Sequence, residues 1–146
     1  MKLTTVIFTG AVLATSLLAR DHTALNGTWT LEPTQSDFGG QPVIQTGTVT
    51  INERQGDITV SRNFSYEGNG ETFFYKDMVD SENGATIKTS KDMKSKARWD
   101  HDVLRVTTTQ AGVVTTESYT RAPNGTMTAN VMKPGGKPIT LVFVRK

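Results

Sequence analysis

Leu25-Asn26-Gly27-Thr28-Trp29-Thr30-Leu31-Glu32 is the stretch on which the reading of this chain turns. From Gly27 onward, Trp29 and Leu31 fall on one face and Thr28 and Thr30 on the other. That period of two is the signature of a half-buried β-strand. Pro33 ends the run, because proline has no N–H to give to a ladder. The segment that follows, Thr34-Gln-Ser-Asp-Phe38-Gly-Gly-Gln-Pro42, is a loop by composition. Within it Phe38 sits among glycines, placed either to plug one end of a barrel or to pack on its outside.

Beyond this loop the same alternation returns again and again. Val49 and Ile51 alternate with Thr48, Thr50 and Asn52 over 46–53, and Ile58, Val60, Phe64 and Tyr66 share a face over 58–66. The run 71–79 holds Phe73-Phe74-Tyr75 and is apolar on both faces. Shorter runs follow at 85–89, 93–99, 103–110, 113–121, 126–132 and 139–145. Turn signals separate them, among them Glu67-Gly-Asn-Gly70, Asp80-Ser-Glu-Asn-Gly84, Ala111-Gly112, Pro123-Asn-Gly125 and Lys133-Pro-Gly-Gly-Lys-Pro138. No window after the N-terminal leader has helical periodicity. Short strands joined by hairpin-length turns predict an all-β, up-and-down antiparallel barrel of about 8–10 strands. Closure removes the sheet edges that a flat arrangement leaves open.

The N-terminus reads differently. Lys2 precedes an uncharged apolar run from Leu3 to Leu18, and small residues then precede Arg20-Asp21. About 16 residues is short for a hydrocarbon core of roughly 30 Å, so the pattern is read as an export signal. The expected organisation is a signal peptide at 1–19, an N-terminal arm at 20–26 and a barrel domain at 27–146, in a secreted or periplasmic protein. Removing the leader takes away Lys2 and no acid, so the formal charge falls from +2 to +1. So small a charge, in an exported chain, argues against a nucleic-acid partner. There is no cysteine, which excludes disulfides, thiolate metal sites and thiol nucleophiles.

With Gly27-Thr28-Trp29 opening an all-β chain of this length, the sequence resembles the calycin superfamily of lipocalins and fatty-acid-binding proteins. It looks most like short secreted bacterial lipocalin-like proteins with no assigned function. The resemblance implies that Gly27 and Trp29 are structural, with the tryptophan packed across one end of the barrel. It also implies that an arginine from the last strand, here Arg145, covers the indole ring. Two features depart from fatty-acid-binding proteins. Residues 33–45 are too few for their two-helix lid, and Val142 and Val144 stand where their carboxylate-binding Arg-x-Tyr pair would be.

Arg62 breaks the pattern most sharply, because it falls on the face of Ile58, Val60, Phe64 and Tyr66. A charge facing an apolar interior needs a partner, and Glu117, on the face of Val113 and Tyr119, is the candidate. Two readings stand: a polar anchor inside a ligand cavity, or a rim residue reaching solvent. Phe64, Tyr66, Phe73, Tyr75, Trp99 and Tyr119 either line that cavity or fill a solid core. Lys94, Lys96 and Arg98 share one strand face, opposite Ala97 and Trp99. They form either a solvated face or a contact for an anionic surface. Asp100-His101-Asp102 has one histidine between two carboxylates in a turn, which is a poor metal site. No metal, cofactor or catalytic residue is assigned, and no Gly-x-Ser-x-Gly is present.

The sequence therefore points to an exported binding protein for a small, mostly apolar or amphipathic ligand. Arg62, Phe64, Tyr66, Phe73, Tyr75, Glu117 and Tyr119 would form its binding site. The alternatives are an interaction module with a filled core, such as an inhibitor, and an enzyme that uses the barrel as a pocket.

Overall fold

A computed structural model describes residues 22–54, 57–68, 71–80, 86–90 and 93–146; for 57, 67, 68, 71–80 and 86–90 the description is of backbone pairing. The leader expected at 1–19 and the turn residues 55–56, 69–70, 81–85 and 91–92 lie outside the described residues.

Among the described residues ten strands follow in order: β1 (Gly27–Leu31), β2 (Ile44–Arg54), β3 (Asp57–Gly68), β4 (Glu71–Asp80), β5 (Thr86–Ser90), β6 (Met93–Asp100), β7 (Val103–Gln110), β8 (Val113–Arg121), β9 (Met127–Met132) and β10 (Ile139–Arg145). They form one antiparallel sheet in the order β4-β3-β2-β1-β10-β9-β8-β7-β6-β5. The meander closes because β1 pairs with both β2 and β10, Trp29 standing opposite Val49 on one side and Arg145 on the other. The ends of the sheet, β4 and β5, approach each other without being neighbours in the ladder.

Alternation along each strand decides what the barrel encloses. On β6, Met93, Ser95 and Ala97 are buried while Lys94, Lys96 and Arg98 are exposed. On β9, Met127, Ala129 and Val131 point inward. The second strand starts earlier than its alternation suggests, at Ile44 rather than residue 46. A register shift between Ile44 and Thr46 lets Ile44 and Gly47 both face inward despite their mismatched parity. The β7–β8 hairpin turns on Ala111 and Gly112, both at positive φ (48° and 77°), as a two-residue turn matched to strand twist requires.

Between β1 and β2 lies a strap rather than a free loop. It opens with a 3-10 turn at Pro33–Gln35 and then bridges to β10, where Asp37 and Thr140 exchange backbone hydrogen bonds of 2.8 Å each way. Ser36 fastens it from both sides: its Oγ donates to the Glu32 carbonyl (2.8 Å) and accepts from the Val142 N–H (3.0 Å). Phe38 is thereby laid half-buried against the core.

Candidate functional site

The two ends of the barrel differ. At the end where β1 begins, side chains fill the interior. Gly27 adopts φ 126°, open to glycine and strained for other residues, and leads into the fully buried Trp29. The Trp29 Nε1–H donates to the Leu25 carbonyl (2.8 Å), and the Arg145 guanidinium lies 4.6 Å from the ring centroid. Arg145 in turn donates to the Ala24 carbonyl (2.8 Å). Residues 22–25, part of the expected polar arm, form a 3-10 turn that buries Leu25 and stacks His22 on Trp99 at 4.1 Å. Asn26 locks this cap to β2 by exchanging hydrogen bonds with the Glu53 backbone (3.1 and 2.8 Å). Leu104, Met127 and Ile58 pack behind it with almost no exposure.

At the other end the interior is hollow. A cavity of about 630 Å³ opens between the strap, the β7–β8 turn and the start of β10. Phe38, Gln41 and Pro42 of the strap form part of its wall, with Ile44, Phe64, Tyr66, Val131, Ile139 and Leu141. Phe64 sits edge-on to Tyr66 (80° between ring planes) and stacks on Phe143 at 6.4 Å. Gly47 makes that position possible: a Cβ there would stand 2.7 Å from Phe64 Cδ1.

The floor of the cavity is charged. Arg62 on β3 and Glu117 on β8 both line it and meet across the barrel, Arg62 Nη1 on Glu117 Oε2, at 2% and 9% exposure. The Tyr119 hydroxyl donates to the same Glu117 oxygen (2.9 Å). Burial first, and then the neighbouring carboxylate, push the Tyr119 phenol well above its usual range, so it stays a donor. Nearby, the hydroxyls of Ser95 and Thr108 satisfy each other at 2.8 Å, and Thr108 also faces the cavity.

Of the seven residues expected to bind ligand, the structure therefore gathers Arg62, Phe64, Tyr66 and Glu117 around one space. Tyr119 is fully buried and does not line this space among the described residues; its hydroxyl reaches Glu117, which does. The Phe73 and Tyr75 side chains lie outside the described residues, although β4 sets their backbones opposite Tyr66 and Phe64. The strap residues Gln41 and Pro42, and Thr108, Val131 and Leu141, join the wall without having been singled out. Alternation marks the last three as inward but not their height in the barrel, and no local signal marks the strap pair.

The turn at Asp100-His101-Asp102 is remote from the cavity. His101 Nδ1 lies 3.0 Å from one Asp100 oxygen, and Arg105 Nε donates to the other at 2.9 Å. These two contacts, His101 first, hold the Asp100 carboxyl below the usual carboxylate range. Among the described residues no cluster of His, Cys, Asp or Glu could hold a metal ion. Lys94, Lys96 and Arg98 form an exposed row on the outer face of β6, away from the cavity.

No family model and no curated protein matches the chain. Among solved structures it is similar to the fluorescent protein UnaG, at 20% identity and a TM-score of 0.62 over 83% of this chain and 96% of that one. It is also similar to a Schistosoma mansoni fatty acid binding protein in complex with arachidonic acid, at 16% identity and a TM-score of 0.62 over 86% and 98%. Human cRBP IV matches at 18% identity and a TM-score of 0.53, over 84% and 98%. At these identities the likeness is one of fold.

Proposed function

On the premise that the chain has the fold of the calycin superfamily, we propose that it is an exported carrier of a small, mostly apolar molecule held inside the barrel. One observation carries this reading: the cavity of about 630 Å³, in the range of roughly 300–1,000 Å³ typical of ligand pockets. Its wall has the composition such pockets share, aliphatic and aromatic side chains around a few convergent polar groups. Among the polar groups that line it, Arg62, Glu117 and Thr108 are the buried ones. The Schistosoma mansoni protein of the same fold holds arachidonic acid, which supports an apolar occupant of this interior. The uncharged run from Leu3 to Leu18 behind Lys2 supports export.

Native mass spectrometry of the protein purified, without detergent, from the exported fraction of its own cells tests both halves of the proposal. The expected spectrum shows a chain lacking its leader, with an additional mass of a few hundred daltons that is lost on denaturation. A bare polypeptide that takes up no member of a lipid and hydrophobe panel would overturn the carrier reading.

A further inference from the structure

We infer that the cavity selects an uncharged ligand whose polar end is a hydroxyl, over the carboxylate or ammonium of the same chain length; this rests on the carrier reading above. The charges that face the cavity set this preference. Among the described lining residues these are Arg62, Glu117 and Lys133. Lys133 is exposed at the mouth, where water and salt screen it. Arg62 alone would make the floor a strong anion site, since a buried guanidinium demands a counter-charge. Glu117 already supplies that charge from across the barrel, and Tyr119 donates to the oxygen that Arg62 touches. Among the described residues the charges of the floor thus cancel before any ligand arrives.

A carboxylate brought to this floor gains Arg62 only by standing beside the Glu117 carboxylate, in a medium where like charges are poorly screened. It also gives up its own hydration to get there. An ammonium meets the same obstacle in Arg62. A hydroxyl is both donor and acceptor. It can donate to Glu117 and accept from Arg62 while leaving the ion pair intact and adding no charge. The apolar wall of Phe64, Val131, Ile139 and Leu141 then takes the chain.

The test is displacement of the neutral dye Nile red from the mature protein by decanol, decanoate and decylamine, at a pH of about 8 where both ionisable competitors are charged. Decanol is expected to bind about tenfold or more tighter than either. In Glu117→Gln, which keeps the shape of the side chain but frees the Arg62 charge, decanoate is expected to gain about tenfold and decanol to change little. Decanoate binding as tightly as decanol to the parent protein overturns the inference and leaves the carrier reading standing. So does an unchanged decanoate affinity in a folded Glu117→Gln. Failure of all three competitors and of the dye overturns the carrier reading itself, and the inference with it. Should Glu117→Gln not fold, the order of the three affinities on the parent protein decides.

Discussion

Arg62 and Glu117 are the two residues whose chemistry sets the barrel's interior apart from an ordinary apolar core. Each is too buried to be tolerated alone. Glu117→Ala should therefore cost about 3–5 kcal/mol in urea unfolding, because it strands a guanidinium inside the barrel. Replacing both at once, as Arg62→Met with Glu117→Leu in a Tyr119→Phe background that leaves no hydroxyl without its acceptor, should return stability to within about 1 kcal/mol of that background or above it, since the desolvation cost of both charges disappears. A double variant as weak as the single one would mean that the pair does more than neutralise itself. Alternation marked Arg62 as a charge on an inward face, and did the same for Glu117. The two inward faces were enough to name Glu117 as the candidate partner of Arg62, and the ion pair bears this out; that the contact spans the barrel came only with the fold, since β3 and β8 are distant in the chain. Nor was it legible that Glu117 lines the space while Tyr119 only hydrogen-bonds to it, because two residues on one strand face look alike in sequence whether they line a space or lie behind it.

At the scale of elements, the strap between β1 and β2 decides whether the cavity has a wall. Its sequence, rich in glycine and polar residues, looks like an unattached loop. The structure ties it down through Ser36 and through the Asp37–Thr140 bridge. Ser36→Ala removes a donor to Glu32 and an acceptor for the Val142 N–H. It should cost about 1–3 kcal/mol, the range for leaving such a group unmet. The same change should speed amide hydrogen exchange at Asp37 and Thr140, with the ladder between β9 and β10 unaffected. Uniform exchange across β10 would show instead that the strap contributes nothing local. The strands themselves were plain from their period-two pattern and their turns. The exception is the start of β2, where a bulge shifts parity and brings Ile44 inward.

Across the whole molecule the barrel is packed at one end and hollow at the other, and the same substitution should behave differently in each. Leu104→Ala, within the packed end, should cost about 2–5 kcal/mol and leave ligand affinity unchanged. Leu141→Ala enlarges a space that already exists, so it should cost less stability, by thermal or urea unfolding, and alter Nile red affinity. Equal losses with no change in dye binding would mean that the upper barrel is filled. The sequence by itself pointed to an up-and-down antiparallel arrangement of about 8–10 strands and to the inward faces of β1, β2, β3, β6 and β8, because these follow from local alternation and turn chemistry. It also marked the pairing of Trp29 with an arginine of the last strand through resemblance alone, whereas the geometry of that contact came with the closure of β1 on β10. Tertiary structure decided the rest: which end is solid, how high each inward residue stands, and that one positive and one negative charge cancel at the cavity floor. Those are properties of strands meeting across a space, and chain-local periodicity carries no information about distance across it.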